Sequence, residues 1–99
     1  MGPGLLMTDA RAKLRRGDAL VRDERYGEAI AEYQEVADLY VDAGFTLRAA
    51  AVLRQVVAII DRSLPDLAEA RTRALRGLLH CYTVLGLTTD ADNVRRRLN

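Results

Sequence analysis

Apolar residues recur along most of this chain at intervals of three and four, the period of a helix that buries one face. Over about residues 9–22, Ala10, Leu14, Gly17, Leu20 and Val21 share one side, and Thr8 stands where an N-cap belongs. Over about 26–42, Tyr26, Ala29, Ile30, Tyr33, Val36, Ala37, Tyr40 and Val41 form a wide stripe, with Glu28, Glu32, Glu35, Asp38 and Asp42 mostly opposite. Over about 46–62 the polar face nearly vanishes. Residues 49–53 and 56–60 are apolar almost all round, which predicts a helix flanked by two others. Its β-branched run is longer than a usual strand and has helical sequence on both sides. Ser63-Leu64-Pro65-Asp66 predicts a break, with Pro65 in the first turn of a fourth helix. That helix runs to about residue 85 and turns Leu67, Ala70, Ala74, Leu75, Leu78, Leu79, Tyr82 and Leu85 inward. A fifth, capped by Thr88 or Thr89, ends at Arg95-Arg96-Arg97-Leu98-Asn99. The expected fold is all-α: five antiparallel helices as stacked hairpins, one domain over 9–98 behind a flexible leader over 1–8.

Glycines punctuate this pattern. Gly44 and Gly86 follow helical stripes and predict left-handed turns, which glycine enters without steric cost. Around them one pattern recurs: Tyr40-x-x-x-Gly44-x-x-x-x-Ala49 returns forty-two residues later as Tyr82-x-x-x-Gly86-x-x-x-x-Ala91. Gly17 sits inside the first helix, where it costs roughly 1 kcal/mol relative to alanine. A close approach by the next helix would explain it.

Tyr33, Val36, Ala37 and Tyr40, followed by Ala49 and Leu53, resemble the tetratricopeptide repeat. Leu75, Leu78, Leu79 and Tyr82, then Ala91, resemble it a second time, with Arg95 where a large aromatic would stand. An overlapping match uses Gly17, Leu20, Ala29 and Tyr33, with Lys13 and Arg16 departing from its first two positions. The forty-two residue period is longer than the roughly 34 of the standard repeat. The resemblance implies that helices 2 and 3 form one hairpin and helices 4 and 5 another. Helix 1 is then a cap or a remnant of a preceding repeat. It also implies that the first helix of each hairpin lines a concave groove holding a partner segment. Ala31, Gln34, Asp38, Val41 and Asp42 would form an acidic wall, and Arg73, Arg76, His80 and Thr83 a basic one. Family members that clamp a peptide C-terminus use Lys and Asn where this chain has Gln34 and Asp38, so no carboxylate clamp is expected.

Composition narrows the chemistry. Hydrophobic residues make up 49% and charged residues 29%, an ordinary globular profile. A formal charge of +1 gives no global drive toward nucleic acid or anionic membrane. Cys81 is alone, so neither an intrachain disulfide nor a cysteine cluster for zinc can form, which fits a reducing, cytoplasmic setting. Leu5-Leu6-Met7 is too short for a signal peptide or a membrane span. His80 and Cys81 are adjacent on a helix and point about 100° apart, so they cannot act as nucleophile and base. No glycine-rich phosphate loop occurs. The four tyrosines lie on apolar faces as packing residues, and the terminal arginines suit a helix C-terminus. The expectation is a non-enzymatic interaction module, without metal or cofactor, that binds a segment of another protein. The alternative is self-assembly through the end helices, or a structural role within a larger chain.

Overall fold

A computed structural model describes the protein over residues 3–99. Five helices follow one another: α1 (Pro3–Arg22), α2 (Tyr26–Asp42), α3 (Thr46–Ser63), α4 (Ala68–Leu85) and α5 (Thr88–Leu98). Among the described residues there is no strand, so the fold is all-α.

One turn, used three times, sets the architecture. After α2 the Phe45 N–H donates to Tyr40 O at 2.8 Å and the Gly44 N–H to Val41 O at 3.1 Å. This paired arrangement satisfies carbonyls that a helix end leaves orphaned. Gly44 takes the left-handed conformation it requires, at φ 83°. Phe45 then serves as N-cap of α3, its carbonyl accepting from the Ala49 N–H at 3.0 Å. The spacing Tyr40, Gly44, Ala49 is thus a hydrogen-bonding template: one residue ends a helix and starts the next. Tyr82, Gly86, Leu87 and Ala91 repeat it after α4, with Gly86 at φ 72°. A third copy, without a glycine, follows α1. Arg25 donates to Leu20 O at 2.8 Å, accepts from Ala29 at 3.0 Å, and Glu24 stands in the glycine position at φ 60°.

Local boundaries depart from expectation at three places. Helix α1 begins at Pro3, and Thr8 lies inside it, its hydroxyl donating to Gly4 O at 2.9 Å rather than capping an end. The expected leader is therefore helical where described; Met1 and Gly2 lie outside the described residues. Pro65 does not open α4. It is the second residue of a turn in which the Leu67 N–H donates to Leu64 O at 3.0 Å, a position suited to its fixed φ. Leu67 caps α4 and is exposed rather than inward. Leu87, not a threonine, precedes α5, because the shared turn leaves its closing residue as the N-cap.

Substantial packing joins only helices adjacent in sequence. The result is a slab of 36 × 31 × 16 Å. Twenty residues of α1 rise about 30 Å, so the middle dimension runs along the helices. Helix α3 is the central element, with Ala49, Ala50, Val52, Leu53, Val56, Val57, Ile59 and Ile60 all buried between α2 and α4. A full face of the helix, Leu47, Arg48, Ala51, Arg54, Gln55, Ala58, Asp61 and Arg62, reaches solvent, so α3 is buried on two sides and not almost all round as its apolar runs suggest. On α4 the buried set is Ala74, Leu75, Leu78, Cys81 and Tyr82. Cys81 is wholly enclosed, and burial pushes its thiol above the usual range.

Candidate functional site

A groove of about 360 Å³ lies between α2 and α4. Gly27, Ile30, Ala31 and Gln34 are spaced three, four and seven residues apart, so they share one face of α2. Glu69, Ala70 and Arg73 line the facing side of α4, and Val56 of α3 lies beneath. Ile30 and Val56 are core residues that also face this space, giving the groove an apolar floor. Gln34, Glu69 and Arg73 supply a polar rim.

The acidic and basic walls meet rather than stand apart. Arg73 Nη2 donates to Asp38 Oδ2 at 3.0 Å, while Gln34 Nε2 donates to Asp38 Oδ1 at 3.2 Å. Asp38 therefore bridges both helices and takes up one charge of Arg73. Of the nine residues singled out for the groove, Ala31, Gln34 and Arg73 line it, Asp38 ties Gln34 to Arg73, and Val41 and Thr83 line none of these hollows. Arg76 lies with Arg73 on a neighbouring shallow surface. Asp42 and His80 are exposed and line none of these hollows. The floor residues Ile30, Val56 and Ala70 carried no distinct signal, because periodicity assigns them to the core.

The acidic side of α2 has a different task. Glu35 accepts from Lys13 of α1 at 2.7 Å, a bond that raises the lysine's pKa and lowers the glutamate's. Glu32 faces Arg16 of α1 at 3.4 Å, with its side chain only 18% exposed and one oxygen enclosed without a partner. Glu28 pairs locally with Arg25 at 2.7 Å. Glu32 and Glu35 thus staple α1 to α2 and are not part of a free acidic surface. Deeper between the same helices, the Tyr33 hydroxyl donates to Asp18 at 2.5 Å and accepts from Gln55 at 3.3 Å, tying α1, α2 and α3 together.

A second groove, of about 420 Å³, lies on the α3–α5 side and was not anticipated from sequence. Val57, Leu78, Tyr82 and Val94 form its apolar part. Asp61 accepts from Arg71 at 2.7 Å and from Arg97 at 3.0 Å, so one carboxylate joins α3, α4 and α5 at its rim. Arg54 reaches the Tyr82 hydroxyl at 3.4 Å. Among the described residues no group of three His, Cys, Asp or Glu side chains is placed to hold a metal. No described helix is long and apolar enough to cross a membrane.

The chain matches no family model, no curated protein and no solved structure.

Proposed function

We propose that this protein is a non-enzymatic, tetratricopeptide-like interaction module that holds an amphipathic segment of another protein in the α2–α4 groove. It acts in the cytoplasm, needs no cofactor, and contacts neither nucleic acid nor membrane. The observation that carries this reading is the groove itself: an apolar floor of Ile30, Val56 and Ala70 edged by Gln34, Glu69 and Arg73. A partner's apolar side chains would cover the floor while its polar groups meet a rim of both charges, as when a helix seats in a groove. The charged rim sets orientation and on-rate more than affinity. The exposed Asp92, Arg95 and Arg96 on α5 favour a groove over end-to-end stacking, since such a face suits the cap of an array.

The test begins with affinity capture and mass spectrometry to obtain a partner. Two exposed alanines on opposite faces then discriminate the grooves: Ala31 in the α2–α4 groove and Ala58 in the α3–α5 groove. Ala31→Glu is expected to weaken binding by about tenfold, or about 1.4 kcal/mol, and Ala58→Glu to leave it unchanged. The reverse result would assign binding to the other face; equal effects would remove the groove reading altogether.

A further inference from the structure

We propose that the end of the slab bearing the Gly44 and Gly86 turns is a weak self-association surface, in which two copies of this chain meet about a two-fold axis. Among the described side chains, three of the four exposed large hydrophobics gather at this end: Leu47 at 64%, Val84 at 59% and Leu87 at 39% exposure. Exposed apolar residues scattered singly are ordinary, but a cluster of them marks contact. Leu47 stands at the lip of a hollow of about 350 Å³ that also involves Phe45 and Leu85. Protruding side chain and hollow belong to one patch, the arrangement an isologous interface needs, because each copy must offer both.

Charge selects a second copy as the occupant. Asp42 and Arg48 are exposed on either side of the Gly44 turn. Neither has an ion-pair partner among the described residues. The Arg48 guanidinium is held over the Phe45 ring, 5.5 Å from its centroid, with Nη1 3.7 Å from Met7 Sδ. In the proposed dimer, Asp42 of each copy pairs with Arg48 of the other while Leu47 enters the opposite hollow. The end face measures 36 × 16 Å between backbone extremes. That is short of the roughly 800 Å² per partner of a standard interface, so the dimer is weak. It leaves both grooves open.

The test is sedimentation equilibrium of the full chain up to about 1 mM, the weak end of the affinity scale. A monomer–dimer equilibrium is expected, and Leu47→Asp should weaken it at least tenfold with the circular dichroism spectrum unchanged. Asp42→Arg and Arg48→Asp should each weaken self-association alone and restore it when mixed, because the pair then has opposite charges at both contacts. A monomer at every concentration, a dimer indifferent to Leu47→Asp, larger open assemblies, or no recovery in the mixture would each overturn the proposal.

Discussion

Gly17 lies so close to Tyr33 that a β-carbon at position 17 would sit 2.6 Å from Cε1 of the ring and 2.9 Å from Cδ1. The ring has little room to retreat. It is fully buried, and its hydroxyl is fixed by Asp18 and Gln55. Gly77 faces α3 in a similar way, but there the nearest atom, at 2.8 Å, is Cδ1 of Leu53, the end of a flexible side chain. Gly17→Ala is therefore expected to destabilise by about 1–3 kcal/mol, overriding the roughly 1 kcal/mol that alanine gains in helix propensity. Gly77→Ala should cost clearly less. Urea denaturation of the two variants checks the order; equal losses would mean that the Tyr33 ring yields as readily as a leucine.

The same tyrosine gives the fold an alkaline limit. Burial first, then the bond to Asp18, raises the Tyr33 phenol well above its ordinary value of 10.0. A group that holds its proton longer in the folded state contributes stability that is full below its unfolded value and lost as pH rises beyond it. Stability should fall above about pH 10, by up to about 1.4 kcal/mol per pH unit from this one phenol. Cys81, also raised, acts in the same direction from its ordinary value of 9.0. Tyr33→Phe should cost about 1.5 kcal/mol at neutral pH, with the gap from wild type narrowing above pH 10. Thermal midpoints measured across pH 8–11 test this, and parallel curves would contradict it.

Leu53 and Ile59 probe the central helix. They are 1% and 2% exposed, on the faces that α3 turns to its neighbours. Truncation of either to alanine should cost about 2–5 kcal/mol, the loss of burial plus the cavity left behind. Losses under about 0.5 kcal/mol at both, typical of exposed positions, would remove α3 from the core.

Glu24 is expected to be a stabilising site when replaced by glycine. It holds φ 60° at the turn position that Gly44 and Gly86 occupy elsewhere. A left-handed conformation costs a side-chain-bearing residue roughly 1–2 kcal/mol. Glu24→Gly should raise stability by up to about 1 kcal/mol after the added freedom of the unfolded chain is counted. Gly44→Ala and Gly86→Ala should lower it by a similar amount, and chemical denaturation reads all three.

These positions also show what was legible in the residues. The Tyr-Gly-Ala spacing revealed two of the three equivalent turns because glycine announces a positive φ. The third was hidden because Glu24 carries no such signature. Helix α3 was readable as central from its two apolar runs, but the extent of its exposed face, carrying Arg48, Arg54, Gln55, Asp61 and Arg62, was not, because those polar residues are spread between and beside the runs. The start of α1 was not, since Thr8 reads equally as a cap or as a threonine bonded to the preceding turn. At the candidate site, the resemblance to the tetratricopeptide repeat was what pointed to Gln34 and Arg73 as facing groove residues. The 3.0 Å contact of Arg73 with Asp38 depends on interhelix distance, which periodicity does not encode. Glu32 lies opposite the apolar stripe in the sequence pattern, and only the position of α1 shows that its side chain is largely enclosed beside Arg16.

The restriction of packing to neighbours in sequence has a dynamic consequence. In a globule held by distant contacts, loosening one element loosens all of them. Here each interface is a separate link, and stability adds along the row much as in a one-dimensional lattice. Helix α5 is the terminal link and the least anchored. It buries only Ala91 and Val94, with Arg97 reaching back to Asp61. Its amides should exchange with deuterium through a local opening that leaves α1, α2 and α3 closed, at a free energy below that of global unfolding. Protection should rise inward from α5 and be greatest in α3. Such an opening would uncover Tyr82 and Leu78, so the α3–α5 side can breathe while the α2–α4 groove keeps its shape.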